Sequence, residues 1–325
     1  MRLSSSPEEA EFDRAVATHR RELLAHCYRM LGSPHDAEDA LQEALVGAWR
    51  GWAGFEGRSS VRTWLFRIAT NACLKQAERR PARMLSADLG PGFTQTADLG
   101  ELDTEHLFVE PWADEPDDSG DPEAAYARRE GVELAYVAAL QHLPPNQRAV
   151  LVLREVLQFS AAEVAEQLDT SVPSVNSALQ RARASLEERT HGPGGRQSQQ
   201  AELAALGEDG VRRLLDEFVS AWEAADVDRM AALLAEDVRF TMPPLPAWFD
   251  GKEMVLRFIT ERMFETPWRL EPRTVNGQPG FLCRSLLDGE WHPSAVNAIA
   301  FRDGLVVHIG AFVDPGIVNE FVTDR

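Results

Sequence analysis

Apolar positions in the first eighty residues recur at helical spacing. Phe12, Val16, Leu23, Leu24, Cys27 and Leu31 predict a helix over residues 9–31, stopped by Gly32. Ser33-Pro34 opens the next, with Ser as N-cap and Pro at the first helical position. In that helix Ala40, Leu41, Ala44, Leu45 and Ala48 supply the apolar face, while Asp36, Asp39 and Glu43 form an acidic ridge. Gly51, Gly54 and Gly57 mark a loop before SSVRTWLFRIATNACLKQAERR, residues 59–80. There Val61, Leu65, Ile68 and Ala72 share one stripe, which leaves Arg67 and Asn71 exposed near Trp64.

The helical pattern returns between Asp121 and Thr190. Leu134, Val137, Ala138 and Leu140 precede Leu143-Pro144-Pro145, and Asn146 is placed to cap the following helix. Ser160 and Glu163 make a capping box, and Ser171 caps a last helix that tolerates Pro173 in its first turn. Two short helices around a tight turn, the second bearing Arg181 and Arg183, predict a helix-turn-helix. Beyond residue 204 the pattern changes. Val211, Leu214, Leu215, Phe218, Val219 and Trp222 give one helix, with others at Asp228–Leu234 and 252–263. Val238–Met242 reads as a strand, and strand-like runs flank the hairpin signals Asn276-Gly277 and Asp303-Gly304.

A net charge of −19 over 325 residues argues at first against nucleic acid, but its distribution says otherwise. Residues 58–83 hold seven Lys/Arg against one acid, whereas residues 84–123 hold 12 acids and no Lys or Arg. The basic stretch with its aromatic suits melted nucleic acid, because cations hold phosphates and rings stack on unpaired bases. The acidic stretch reads as a disordered linker, or as a strap lying in a partner's basic channel. Cys27, Cys73 and Cys283 are far apart in apolar contexts, as expected of buried thiols in a reducing cytoplasm. No metal-ligand spacing, signal core or membrane-spanning run is present, so no cofactor, metal or membrane partner is expected.

The runs DAEDALQEALVGAW and RSSVRTWLFRIATNACL resemble region 2 of an extracytoplasmic-function sigma factor of the sigma-70 family, and the later helix-turn-helix resembles region 4. The resemblance spans roughly residues 10–190. It implies that Asp36, Glu38, Asp39, Gln42 and Glu43 bind core RNA polymerase. It also implies that Arg58, Ser59, Arg62, Trp64, Arg67, Asn71 and Lys75 bind the melted −10 element, and that Ser174, Asn176, Ser177, Gln180, Arg181 and Arg183 bind the −35 element. Asn176 and Ala178 stand where the family commonly has basic residues, which predicts a weaker phosphate contribution. The segment VEPWADEP resembles a Trp-Glu-Pro box of sigma factors with fused C-terminal domains.

The C-terminal run AWEAADVDRMAALLAEDVRFTMPP resembles the SnoaL-like, ketosteroid-isomerase-like α+β cone. Such a cone encloses an apolar pocket, here assigned to Trp222, Met242, Trp248, Phe249, Phe281 and His308 and able to take a small ligand. The expected organisation is region 2 over 1–81, an acidic linker over 82–123, region 4 over 124–190, a flexible linker over 191–203 and the cone over 204–325. Two of these domains are all-α and the third is α+β. The cone is expected to touch the sigma domains and regulate them, rather than to sense a ligand or catalyse. The competing function is an isomerase-like or ligand-binding enzyme domain fused to a DNA-binding regulator.

Overall fold

The computed structural model describes residues 7–113, 133–190 and 199–322. Residues 7–83 and 135–190 form one compact unit, and residues 84–113, 133–134 and 199–322 form another.

In the first unit, α1 (Pro7–Leu31), α2 (Pro34–Trp52) and α3 (Val61–Ala77) pack against one another. Local chemistry sets their ends. Gly32 turns the chain with φ 71°, Ser33 Oγ accepts the Asp36 N–H at 3.2 Å, and Ser60 Oγ accepts the Thr63 N–H at 3.0 Å. The second half holds α4 (Leu134–Gln141), α5 (Pro145–Leu151) with a π-helical turn at Val152–Val156, α6 (Ala161–Gln167) and α7 (Val172–Thr190). Helix α5 begins one residue before the expected cap Asn146, because Pro145 itself takes the first helical position. The Ser160–Glu163 capping box forms in both directions, and Ser171 Oγ accepts the Ser174 N–H at 3.3 Å.

The halves of this unit join through a buried polar knot. Arg148 Nη1 donates to Met30 O and, at 2.6 Å, to Gln141 Oε1; Nη2 donates to Gln141 O at 2.9 Å and Leu143 O at 3.1 Å. Gln141 Nε2 also donates to Arg29 O at 3.2 Å. The Arg29 and Met30 carbonyls near the end of α1 are thus satisfied by side chains from the other half.

In the second unit, α8 (Gln199–Glu223), broken at Gly207, is followed by α9 (Val227–Leu233) and α10 (Lys252–Phe258). The sheet runs in the order β2-β1-β6-β5-β4-β3. Its strands are β1 (Leu234–Thr241), β2 (Trp248–Asp250), β3 (Trp268–Val275), β4 (Gln278–Leu287), β5 (Glu290–Arg302) and β6 (Leu305–Phe312), and α11 (Pro315–Val322) follows. Asn276-Gly277 and Asp303-Gly304 both turn with positive φ, as expected, and Asp288-Gly289 makes a third hairpin turn.

The acidic linker is ordered over 84–113, where it lies as a strap along this second unit. Its backbone is paired rather than solvated: Phe93 N–H donates to Trp248 O (2.8 Å), Asp103 N–H to Pro244 O (2.9 Å) and Trp112 N–H to Asn276 Oδ1 (2.8 Å). In return Asn276 N–H donates to Trp112 O (2.9 Å), Trp248 Nε1 to Gly90 O (3.0 Å) and Arg262 Nη1 to Ala97 O (2.9 Å). Thr96 also bonds Glu261. Phe93 and Leu99 pack against the domain core. The remainder of the linker lies outside the described residues. So do residues 191–198 of the second expected linker; from Gln199 the chain is helical, and Glu133 accepts the N–H groups of Gln199 (3.1 Å) and Gln200 (2.9 Å).

Gly280 on β4 tests the closeness of this sheet. A Cβ there would sit 2.3 Å from Asn297 O and 2.7 Å from a Val275 methyl carbon. Gly280→Ala is expected to destabilise the second unit by about 1–3 kcal/mol, read as a fall of several degrees in its thermal midpoint. An unchanged midpoint would show that β4 and β5 do not approach this closely.

Candidate functional site

Three exposed surfaces of the first unit carry the candidate residues. On α2, Asp39, Gln42 and Glu43 are exposed and Glu38 is half-buried beside Arg20, at 3.4 Å. Asp36 does not join them. It is buried, one carboxylate oxygen paired with Arg80 and the other 2.7 Å from Arg83, so it ties α2 to the chain after α3. The i, i+3, i+7 pattern placed it on one exposed ridge with Asp39 and Glu43 and could not foresee the arginines that cover it.

Around α3 the candidates divide. Arg67 and Asn71 are exposed, as are Arg58, paired with Glu56 at 3.3 Å, and Lys75, paired with Glu43. The Lys75 ammonium holds the Glu43 carboxyl below the usual carboxylate range. Ser59 is half-buried in the loop. Trp64 belongs to an aromatic group that sequence reasoning missed, with its ring centroid 5.0 Å from Phe55 and 5.9 Å from Trp52. Trp52 and Phe55 stack at 5.8 Å and 10°, and Phe12 meets Trp49 and Trp52 edge-on. The spacing of Trp49, Trp52 and Phe55, three residues apart, was the available signal. Arg62 is half-buried and turned towards Glu22.

On α7, Ser174, Asn176, Ser177, Gln180, Arg181 and Arg183 are all exposed, above a buried row of Val175, Leu179 and Ala182. Arg183 Nε donates to Glu155 at 2.5 Å. A polar helix face over an apolar seam is what a groove-reading helix needs.

The expected C-terminal pocket is not assembled as drawn. Trp222, Met242, Phe249 and Phe281 share one closed apolar core with Phe218, Phe240 and Phe258. Trp248 alternates to the face opposite Phe249 and binds the strap. His308 faces away from Phe240 and Ile309, and its Nε2 lies 3.0 Å from Thr241 Oγ1. An open groove of about 520 Å³ lies instead between Trp248, Pro246 and strap residues such as Leu89, Pro91 and Phe93. Among the described residues of this unit, the buried carboxylates are Glu133 and Glu202. Both accept backbone N–H groups, so neither is placed for acid–base work in the core.

Family models for sigma-70 region 2, sigma-70 region 4 and the SnoaL-like domain match residues 15–82, 133–186 and 215–309. The chain is 40% identical to the ECF RNA polymerase sigma factor SigG of Mycobacterium tuberculosis (strain CDC 1551 / Oshkosh), over 98% of this chain and 86% of that protein. This chain belongs to the ECF sigma factors. It is also 25% identical to SigJ of M. tuberculosis (strain ATCC 25618 / H37Rv), over 91% of this chain and 89% of that protein. A crystal structure of M. tuberculosis SigJ shares the fold, with a TM-score of 0.62 at 24% identity, covering 95% of this chain and 98% of that one. Sigma factors are initiation factors rather than enzymes, and this one works with core RNA polymerase at promoters. No helix among its described residues is long and apolar enough to cross a membrane.

One buried titratable group beneath the α3 face gives the sigma factor a pH signature. Thr70 Oγ1 donates to Phe66 O at 2.7 Å, so His26 Nε2, 2.9 Å away, must donate to Thr70. Burial, reinforced by Arg29 and Arg62, lowers the His26 pKa from 6.5 to about 3. The unfolded chain therefore binds a proton in this window that the folded chain refuses. Stability from neutral His26 is whole above pH 6.5 and falls as pH drops towards 3, by up to about 1.4 kcal/mol per pH unit. His26→Gln keeps a donor and is expected to remove that component from the slope of urea-unfolding free energy between pH 7 and 5. An identical slope in variant and wild type would show that His26 titrates freely when folded.

Proposed function

We propose that the α2 face of Glu38, Asp39, Gln42 and Glu43 docks on core polymerase, with Asp36 holding that helix in place. The loop from Phe55 with Arg58, Ser59, Arg62, Trp64, Arg67, Asn71 and Lys75 takes the melted −10 strand, and the α7 row takes the −35 duplex. Phosphates are met by the cations and unpaired bases by the Trp52–Phe55–Trp64 rings, which offer π-faces at the loop. Asn176 and Gln180 are suited to adenine edges, and the shortage of basic residues on α7 makes −35 binding only shallowly dependent on salt. The protein works in the cytoplasm, where its polymerase is.

The SnoaL-like domain regulates in cis. The observation that carries this reading is the strap: the segment joining the two promoter-binding regions is bound along the C-terminal domain through backbone and side-chain hydrogen bonds at both ends. A domain that holds the connector influences how far the two regions separate. The groove beside Trp248 places a small ligand, if one is bound, against that same strap.

Docking is tested by Asp39→Arg with Glu43→Arg, which should abolish co-purification with core polymerase while helicity by circular dichroism is unchanged; retained binding would remove this face from the assignment. Regulation is tested in the full chain by Asn276→Gly with Glu261→Ala. These keep the hairpin turn and remove side-chain ties at two points of the strap. The double variant should become more protease-sensitive within residues 84–113 and should change run-off transcription several-fold. A freed strap with unchanged transcription would refute control in cis.

A further inference from the structure

The guanidinium of Arg62 is already occupied. Nε donates to Glu22 Oε2 at 3.1 Å, and Nη2 donates to Glu22 Oε1 and, at 3.3 Å, to Leu157 O. Its carbon lies 5.0 Å from the Phe66 ring centre and 4.5 Å from that of Phe159. Glu22 and Phe66 belong to α1 and α3, whereas Leu157 and Phe159 precede the helix-turn-helix. Arg62 is therefore a clasp between the two halves of the first unit, and the phosphate-binding role assigned to it is excluded while the clasp is made.

Size shows that the clasped arrangement cannot be the working one. A compact body of roughly 140 residues has a radius of gyration of about 14 Å and is about 40 Å across. Promoter elements centred near −35 and −10 lie about 25 base pairs apart, which is about 85 Å of B-form duplex. A body that small cannot reach both.

We propose that Arg62 is the latch of this closed arrangement, and that opening transfers Arg62 from Glu22 to the DNA backbone. The inference rests on the reading of α3 and α7 as the −10 and −35 elements. Glu22 and phosphate are competing anions for one guanidinium, so the latch is weakened by the contact that the open state makes. Phe159 contributes the apolar half: it packs edge-on against Phe66 at 5.5 Å and covers the Arg62 plane. The Arg148 knot lies at the same junction and must also come apart, which makes the closed state the resting one.

The test uses the full chain and leaves Arg62 intact. Donor and acceptor dyes are placed at Arg50→Cys and Thr170→Cys, both exposed sites outside the assigned surfaces; the three native cysteines are buried. Glu22→Ala is expected to raise the low-transfer population of the free protein about three- to fivefold, and to raise run-off transcription with limiting core polymerase by a similar factor. Phe159→Leu, with folding checked by circular dichroism, should do the same through the ring contact. If either folded variant leaves transfer efficiency or transcription unchanged, or opens the protein while lowering transcription, the latch is refuted. If wild type with core polymerase fails to initiate on a promoter library, the promoter-binding reading fails instead, whatever the transfer data show.

Discussion

A cation taken out of water holds the first unit together. Arg148 is buried, and burial drags its pKa down to about 10, so it is still charged at neutral pH. An uncompensated charge in that position would be untenable, and the compensation comes from four oxygens, one of them the Met30 carbonyl at the negative end of the α1 dipole. Gln141 completes the arrangement by bonding both Arg148 and the Arg29 carbonyl. Both terminal nitrogens of Arg148 and both side-chain ends of Gln141 find partners at the junction, while the buried Arg148 Nε has none. The two helical halves therefore meet in one registered way, and Arg62, Phe66 and Phe159 are brought together as a consequence.

The strap illustrates the same constraint with backbone groups. A segment with 12 acids and no Lys or Arg over residues 84–123 has too few apolar side chains to fold alone. It is ordered over 84–113 because a neighbouring sheet edge and loops offer carbonyls and donors at matching intervals, and because Phe93 and Leu99 find an existing core to lean on. The strap that joins the two sigma regions and the SnoaL-like domain together form one structural object. The cone interior is filled by Trp222, Phe240, Phe258 and Phe281, and its buried carboxylates serve backbone N–H groups.

Much of the architecture could be read from sequence because the signals are short-range. Ser33, Ser160 and Ser171 cap helices whose N–H groups lie three residues away, and Asn276-Gly277 and Asp303-Gly304 turn within themselves. The promoter-binding motifs are legible for the same reason, since each is one helix and its preceding turn. The rows on α2 and α7 are exposed as their periodicity requires, except that Asp36 is buried and Glu38 half-buried.

What the tertiary structure alone decided are the partners that lie far along the chain. Asp36 is covered by arginines 44 and 47 residues away, Arg62 meets the Leu157 carbonyl across 95 residues, and Trp112 pairs with Asn276 across 164. Periodicity states which face of an element a side chain occupies but not what is packed there. For Trp248 and His308 even the face was misjudged, because a pocket was drawn from residue type rather than from the alternation of their strands. The sequence determined the elements, their caps and turns, and the family they build, through contacts a few residues long. Whether a charge is free, clasped or buried depended on which distant element arrived beside it, and only the folded chain fixes that.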